Sequence, residues 1–273
     1  MSLPGFGKAV IPVLLEPWQH FMRPDPLETR NTLKLLSYNI QVGIQTRHYP
    51  DYLIKAWQHV WPAGRREHNL QQIAELIRHY DIIALQEVDG GSFRTRYVNQ
   101  IHYLAKAAHK EYWHQQLNRN LGRLGQHSNA MIGNIKPMNI YDHALPGRKG
   151  RGAIAFEVGE FNPIIIVVAH LALGRRYQDE QLKYIAGLIG RYRSAVLMGD
   201  MNTDSLRILN DSPLKNAGLK SAHARATYPS WRPAKCFDQI LVSQHINITR
   251  MGVLDFALSD HLPVAIEIEI PEY

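Results

Sequence analysis

Ser259-Asp260-His261 and Gly199-Asp200-Met201-Asn202 concentrate two carboxylates, a carboxamide and an imidazole in two short segments of the chain. Hard divalent cations prefer oxygen ligands, and an imidazole beside them can take a proton from water. Together these groups are suited to activating water against a phosphate. Asn39, Glu87 and His170 also end apolar runs, and Asp238 opens one. Each alone is the kind of residue that caps a turn. Asn39, Glu87, His170 and Asp200 ending apolar runs, Asp238 opening one, and Asp260 and His261 in the turn before the last point instead to one shared crevice at the ends of strands.

The elements that must position them follow from periodicity. Residues 33–40 and 81–87 read as strands, the second buried and followed by a turn at Gly90-Gly91. Between them, Leu70, Ile73, Ala74, Leu76 and Ile77 recur at helical spacing and predict a helix over 66–80. A second helix is expected over 97–109, with short strands near 130–132 and 153–158. The β-branched run 164–170 is the clearest strand; a helix over 177–192 then leads to a strand ending at Asp200. Residues 237–242, 248–254 and 263–270 complete a strand-rich end. Interspersed strands and helices argue for a layered α/β protein, sheets inside and helices outside.

Glu87 and Asp260 offer anionic oxygens and Asn39 a neutral one, the mixture Mg²⁺ or Mn²⁺ prefers. With one cysteine and no closely spaced histidine pair on a helix, a structural zinc site is not expected. Most of the fourteen histidines are read as ordinary core or surface residues. His261 is not, because it follows one carboxylate and another, Asp238, can orient its ring and raise its basicity.

The chain of 273 residues carries 31 Lys and Arg against 24 Asp and Glu, a formal charge of +7. That surplus suits a phosphate-bearing partner as well as it suits simple solubility. The pairs Arg65-Arg66 and Arg175-Arg176 are read as solvated helix faces. The lone Cys236 rules out a disulfide framework and fits a reducing compartment. An apolar stretch at 9–15 is interrupted by Pro12 and too short to span a bilayer. The expectation is a cytoplasmic protein without a membrane span and with no obligate protein partner. Residues 1–31, rich in proline, read as an irregular arm, and residues 32–273 as one domain.

Six segments in order resemble the endonuclease/exonuclease/phosphatase superfamily. They are Ser37-Tyr38-Asn39-Ile40, Leu85-Gln86-Glu87-Val88, Val168-Ala169-His170-Leu171, Gly199-Asp200-Met201-Asn202, Phe237-Asp238-Gln239-Ile240-Leu241 and Ser259-Asp260-His261-Leu262-Pro263-Val264. The resemblance implies a DNase I-like, four-layer αββα sandwich: two mixed sheets flanked by helices, with the site at one edge. It implies a divalent-metal-dependent phosphoesterase, with Glu87 the principal ligand of Mg²⁺ or Mn²⁺, helped by Asn39 and Asp260. Asp200 and Asn202 would align water and the phosphate, and His261, oriented by Asp238, would deprotonate the water. His170 would bond a phosphate oxygen; whether His261 or Asp200 takes the proton stays open.

For the substrate, nucleic acid ranks ahead of a lipid headgroup, an inositol phosphate or another small phosphoester, and an inactive phosphate-binding module is the alternative of another class. Asp89 and Gln41 stand where abasic-site nucleases of that superfamily usually carry Lys and Asn or Asp. The tight Trp-Cys-Asp-Arg signature of inositol phosphatases is not present either. Trp231, in an aromatic and basic segment at 227–233, could stack a base or sugar, or simply pack on the sheet edge. Arg151, with Arg148 and Lys149 among glycines, could contact an anion or form a hairpin tip. Asn129, after His127-Ser128, resembles a substrate-proximal Gly-Asn-Ala segment of the superfamily.

Overall fold

A computed structural model describes residues 30–44, 65–147 and 149–271. All of the expected arm except Arg30 and Asn31 lies outside that range, and so does Arg148. Twelve strands form two sheets of six among the described residues. The first contains β1 (Thr32–Asn39), β2 (Ile82–Val88), β3 (Tyr112–Asn120), β4 (Gln126–Gly133), β11 (Ile248–Val253) and β12 (Val264–Glu269), in the order β11-β12-β1-β2-β4-β3. The second contains β5 (Asn139–Ala144), β6 (Gly152–Val158), β7 (Ile164–His170), β8 (Ser194–Asp200), β9 (Leu219–Ser221) and β10 (Asp238–Ser243), in the order β5-β6-β7-β8-β10-β9.

Each sheet has one parallel pair at its centre, β1 with β2 and β7 with β8. Parallel neighbours need a crossover, and helices α1 (Arg65–Ile77) and α3 (Arg175–Ile189) lie on those two crossovers. Helices α2 (Gln100–Ala107) and α4 (Ser205–Asn210) complete the outer layers. Three apolar cores follow from strand alternation. Leu33, Leu35, Ile166, Val168, Val196 and Ile240 pack between the sheets. Leu36, Tyr38, Ile83 and Leu85 face α1 and α2. Ile165, Val167 and Leu197 face α3. The result is a four-layer α/β sandwich with two mixed sheets inside.

Two expectations need correction. The helix expected over 97–109 is shorter, because Asn99 caps it by accepting hydrogen bonds from the amides of Ile101 and His102. Tyr97, with φ of 61°, lies in the left-handed region and outside the helix. Arg66 does not sit on a solvated face: it is buried and its guanidinium donates to the carbonyl of Arg94. Arg94 also donates to Asp89, which is buried and accepts from Gly91 and Ser92 amides at 2.8 and 2.7 Å. Asp89 therefore shapes the loop after β2. No helix among the described residues is long and apolar enough to cross a membrane.

Candidate active site

Alternation along the strands decides which side chains reach the site. On β1, Leu33 and Leu35 fill the core between the sheets, so Asn39 shares their face. Ile166 and Val168 hand the same face to His170, Val196 and Met198 hand it to Asp200, and Ile240 hands it to Asp238. The apolar core thus gives way, at one end of both sheets, to a polar cluster. The parallel pairs put the carboxyl ends of β1, β2, β7 and β8 at that end. Asp238 enters from β10 opposite Asp200, and Asp260 and His261 precede β12, whose first residue pairs with Ser37.

Glu87 is the exception that requires a device. By alternation it would follow Ile83 and Leu85 toward the helices. Pairing between β2 and β4 slips there, with Leu85 opposite Ala130 but Val88 opposite Ser128. The extra residue is a β-bulge, and Glu87 takes a positive φ of 55°. Val88 returns to the helix-facing core, and the carboxyl of Glu87 turns to the site, within electrostatic reach of Asn39, Asp260 and His261. A second device is Gly199, with φ of +143°, where a Cβ would lie 1.9 Å from the carbonyl oxygen of Ala169. Only glycine lets β7 and β8 pair here, and that pairing sets His170 beside Asp200, with Nε2 3.4 Å from Oδ2.

His261 and Asp238 form the shortest polar contact at the centre, Nδ1 to Oδ2 at 2.8 Å. The other ring nitrogen of His261 lies 3.8 Å from Oδ2 of Asp200. That same oxygen accepts from Nδ2 of Asn39 at 3.1 Å, and Oδ1 accepts from the amide of Asn202 at 3.0 Å. Asn202 donates its own Nδ2 to the carbonyl of Leu171 at 2.9 Å, which fixes its side chain. The Asp260 carboxyl accepts from Ser259 Oγ at 3.1 Å. Tyr228 lies over His261 with ring centres 4.9 Å apart.

Burial and mutual repulsion set the charges. Burial first, and then the neighbouring Asp260, push the Glu87 carboxyl above the usual range, against a lowering pull from His261 and Asn39. Asp200 is pushed up to about 7, chiefly by burial, with His261 opposing and Asp238 adding to the rise. Burial works against charge on His261, yet Asp238 and Asp200 outweigh it and hold its pKa well above the ordinary value. His170 goes the other way: burial, then Arg151 and His261, drive it well below, so its ring is neutral. Asp200 and His261 are best treated as one coupled acid–base pair.

A cation fits this chemistry. Among the described residues Oδ1 of Asp238 is buried with no hydrogen-bond partner, and the charge of Asp260 raises the pKa of Glu87. Oxygen and nitrogen atoms of Asp200, Asp238 and His261 also lie within 4.8 Å of one another. Because Asp238 and His261 already bond each other, that trio reads better as acid–base machinery. Glu87, Asp260 and Asn39 could offer further oxygen atoms to a hard cation.

A cleft of about 420 Å³ opens beside these residues. Glu87, Asn129, Arg151 and His170 all line it. Asn129 donates Nδ2 to the carbonyl of Gly152 at 2.9 Å, joining the two sheets at the cleft wall. Trp231 is half-buried in a turn closed by the Tyr228–Lys235 bridge and is not part of that wall.

Residues 36–261 match the model of the Endonuclease/Exonuclease/phosphatase family. The chain belongs to that family. Sequence comparison with curated proteins finds no match. Solved structures share the fold at low identity. An endonuclease/exonuclease/phosphatase from Beutenbergia cavernae superposes with a TM-score of 0.66 at 18% identity, covering 88% of this chain and 72% of that one. A mannosyl-6-phosphatase from Bacteroides thetaiotaomicron gives 0.67 at 16% identity, covering 87% of this chain and 100% of that one. ANGEL2, a 2′,3′-cyclic phosphatase, gives 0.60 at 15%, covering 87% and 95% respectively.

Within the family fold, the structure brings together Asn39, Glu87, His170, Asp200, Asn202, Asp238, Asp260 and His261. Sequence reasoning did not single out Arg119 and Tyr177, which line the cleft. Arg119 sits on a strand too polar to be read as one, and Tyr177 looks like an ordinary first-turn helix residue.

Proposed function

We propose that this family member is a divalent-metal-dependent phosphoesterase acting on phosphodiester bonds with an activated water. The observation that carries the reading is His261, held at Nδ1 by Asp238 at 2.8 Å with its other nitrogen 3.8 Å from Asp200, in a buried cluster where Glu87 feels the charge of Asp260. Glu87, Asp260 and Asn39 would hold Mg²⁺ or Mn²⁺, which when bound neutralises phosphate oxygens and eases departure of the leaving group. Asp238 ties Nδ1 of His261, so only Nε2 exchanges a proton on the site side. Either His261 or Asp200 would take the proton that water gives up, since at 3.8 Å the two do not hydrogen-bond each other directly. Asn202, fixed by Leu171, orients that water together with Asp200. Neutral His170 can donate from a ring nitrogen to a phosphate oxygen as charge builds, and Arg151 supplies a fixed positive charge in the cleft.

Hydrolysis of bis-p-nitrophenyl phosphate with Mg²⁺ or Mn²⁺, with and without chelator, tests the reading. Metal-dependent release that His261→Ala and Glu87→Ala each reduce by roughly 10²-fold or more supports it. No metal-dependent release would leave a phosphate-binding module. A panel of single-stranded DNA, duplex DNA, RNA, sphingomyelin and inositol phosphates then orders the substrates.

A further inference from the structure

Charge and exposed apolar surface coincide at one place on this molecule. Residues 90–141 hold seven Lys and Arg, of which Arg94 is buried against Asp89 and Lys110 is buried on the carbonyls of Arg78 and Tyr80, leaving Arg96, Arg119 and Arg123 as the exposed arginines of the stretch. Within that stretch, the loop around Phe93–Thr95 and the β3–β4 hairpin tip are joined by the amide of Phe93 donating to the carbonyl of Arg123 at 2.8 Å. Tyr97, Val98, Leu117, Leu121 and Leu124 are all exposed here, Tyr97 at 62% and Leu124 at 58%. They are five of the ten large apolar side chains that the described residues leave exposed. Arg96, Arg119 and Arg123 are exposed among them and make no ion pair within the described residues. Across the cleft that the hairpin walls, Leu173 is exposed at 77%.

Clustered exposed aliphatics mark a contact surface. A nucleic acid would be met by cations and aromatic rings, and leucines offer its phosphates and bases little. Leucine and tyrosine beside unpaired arginines are what an anionic bilayer takes: apolar tips enter the headgroup boundary while the guanidiniums stay at its charged plane. We propose that the β3–β4 hairpin tip and the neighbouring Arg96–Val98 loop dock this protein on an anionic membrane surface. Leu173 on the facing lip sets the cleft mouth toward the same surface. Docking of this kind is independent of turnover, so a vesicle measurement tests it without reference to the reaction.

The test is co-sedimentation of the full chain with vesicles of phosphatidylcholine alone and of equal parts phosphatidylcholine and phosphatidylglycerol. The expected result is binding to the mixed vesicles, little to the neutral ones, and release at about 1 M salt, where screening falls to ~3 Å. Removing Arg96 and Arg123 as serines is expected to weaken partitioning roughly fivefold for each arginine. The pair Leu121→Ser and Leu124→Ser is expected to weaken it about tenfold or more through lost apolar contact. These side chains are exposed, so an unchanged thermal midpoint verifies that the variants fold. Failure of the unaltered protein to bind the mixed vesicles overturns the proposal. So does binding that both pairs of substitutions leave intact, which would place the contact elsewhere in the chain. Capture of single-stranded DNA that depends on the arginines alone, with vesicles ignored, would make this a nucleic-acid surface and equally overturn it.

Discussion

Asp238 holds Nδ1 of His261 at 2.8 Å, and this contact sets the direction of the ring and, together with Asp200, favours its charged form. Asp238 is fully buried at the first position of β10, anchored by its amide donating to Thr227 Oγ1 at 3.2 Å. The ring cannot turn without breaking the bond, so Nε2 stays on the side of Asp200. A carboxylate behind an imidazole both selects its tautomer and favours its charged form.

Asp238→Asn tests that relationship with almost no change of shape. The amide cannot stabilise an imidazolium, so the His261 pKa is expected to fall from its raised position. Turnover of a diester should drop by roughly 10²–10⁴-fold, the usual worth of a positioned acid–base group. Histidine proton titration by NMR, run in parallel with kinetics, separates this from misfolding. An unshifted His261 resonance in an inactive variant would mean that the loss came from elsewhere.

Glu87→Gln addresses the cation. A ligand that binds only the folded state raises its stability by mass action, by about 2.7 kcal/mol at a hundredfold excess over Kd. Magnesium is therefore expected to raise the melting temperature of the unaltered protein. In the Gln variant most of that rise should vanish, while the chelated variant melts no lower than the chelated parent. The second half follows because burial and Asp260 already disfavour charge on Glu87 without a metal. Equal magnesium shifts in the two proteins would remove Glu87 from the ligand set.

Asp200→Asn should trade activity for stability. A carboxyl that titrates near 3.8 when exposed and near 7 in the fold binds its proton more tightly when native. Its contribution to stability is present at low pH and is lost as pH climbs through about 7. In chelator near pH 8 the Asn variant is expected to be more stable by about 1–3 kcal/mol, at roughly 1.4 kcal/mol per pKa unit. Near pH 5 the gap should shrink, and activity should be lost throughout. Thermal unfolding at both pH values gives the comparison, and a gap that widens on acidification would contradict the sign.

Much of this site is legible in the sequence because alternation carries it. Asn39, His170, Asp200 and Asp238 each lie in step with a run of inter-sheet apolar residues, so their common face is implicit in the pattern. Glu87 was recognisable by type but not by aim, since the bulge that turns it depends on β4, a partner forty residues on. Strand β3 was invisible to hydrophobicity. Its inward residues are His114 and Gln116, which bond across to Asp142 and to the carbonyls of His143 and Ala153 in the second sheet. Polar contacts between sheets leave no apolar period to read. Arg66 departs from the pattern for the reverse reason: a paired charge at a helix start suggests a solvated face, whereas the carbonyl of Arg94 receives it in the interior.

Gly199→Ala is the sharpest test of how the fold serves the site. The added methyl would sit 1.9 Å from the Ala169 carbonyl oxygen, on backbone at φ of +143° that side chains rarely adopt. Neither problem can be relieved by a rotamer, because both partners are main chain. Relief requires β7 and β8 to separate at the register that pairs His170 with Asp200. The expected result is a loss of more than about 3 kcal/mol of stability, at the severe end for one substitution. Any soluble fraction should be inactive, since the same separation pulls the 3.4 Å contact between His170 and Asp200 apart. Denaturant unfolding measures the first effect and diester hydrolysis the second. A variant with parental stability would show that the close approach of these two strands is not what holds the site together.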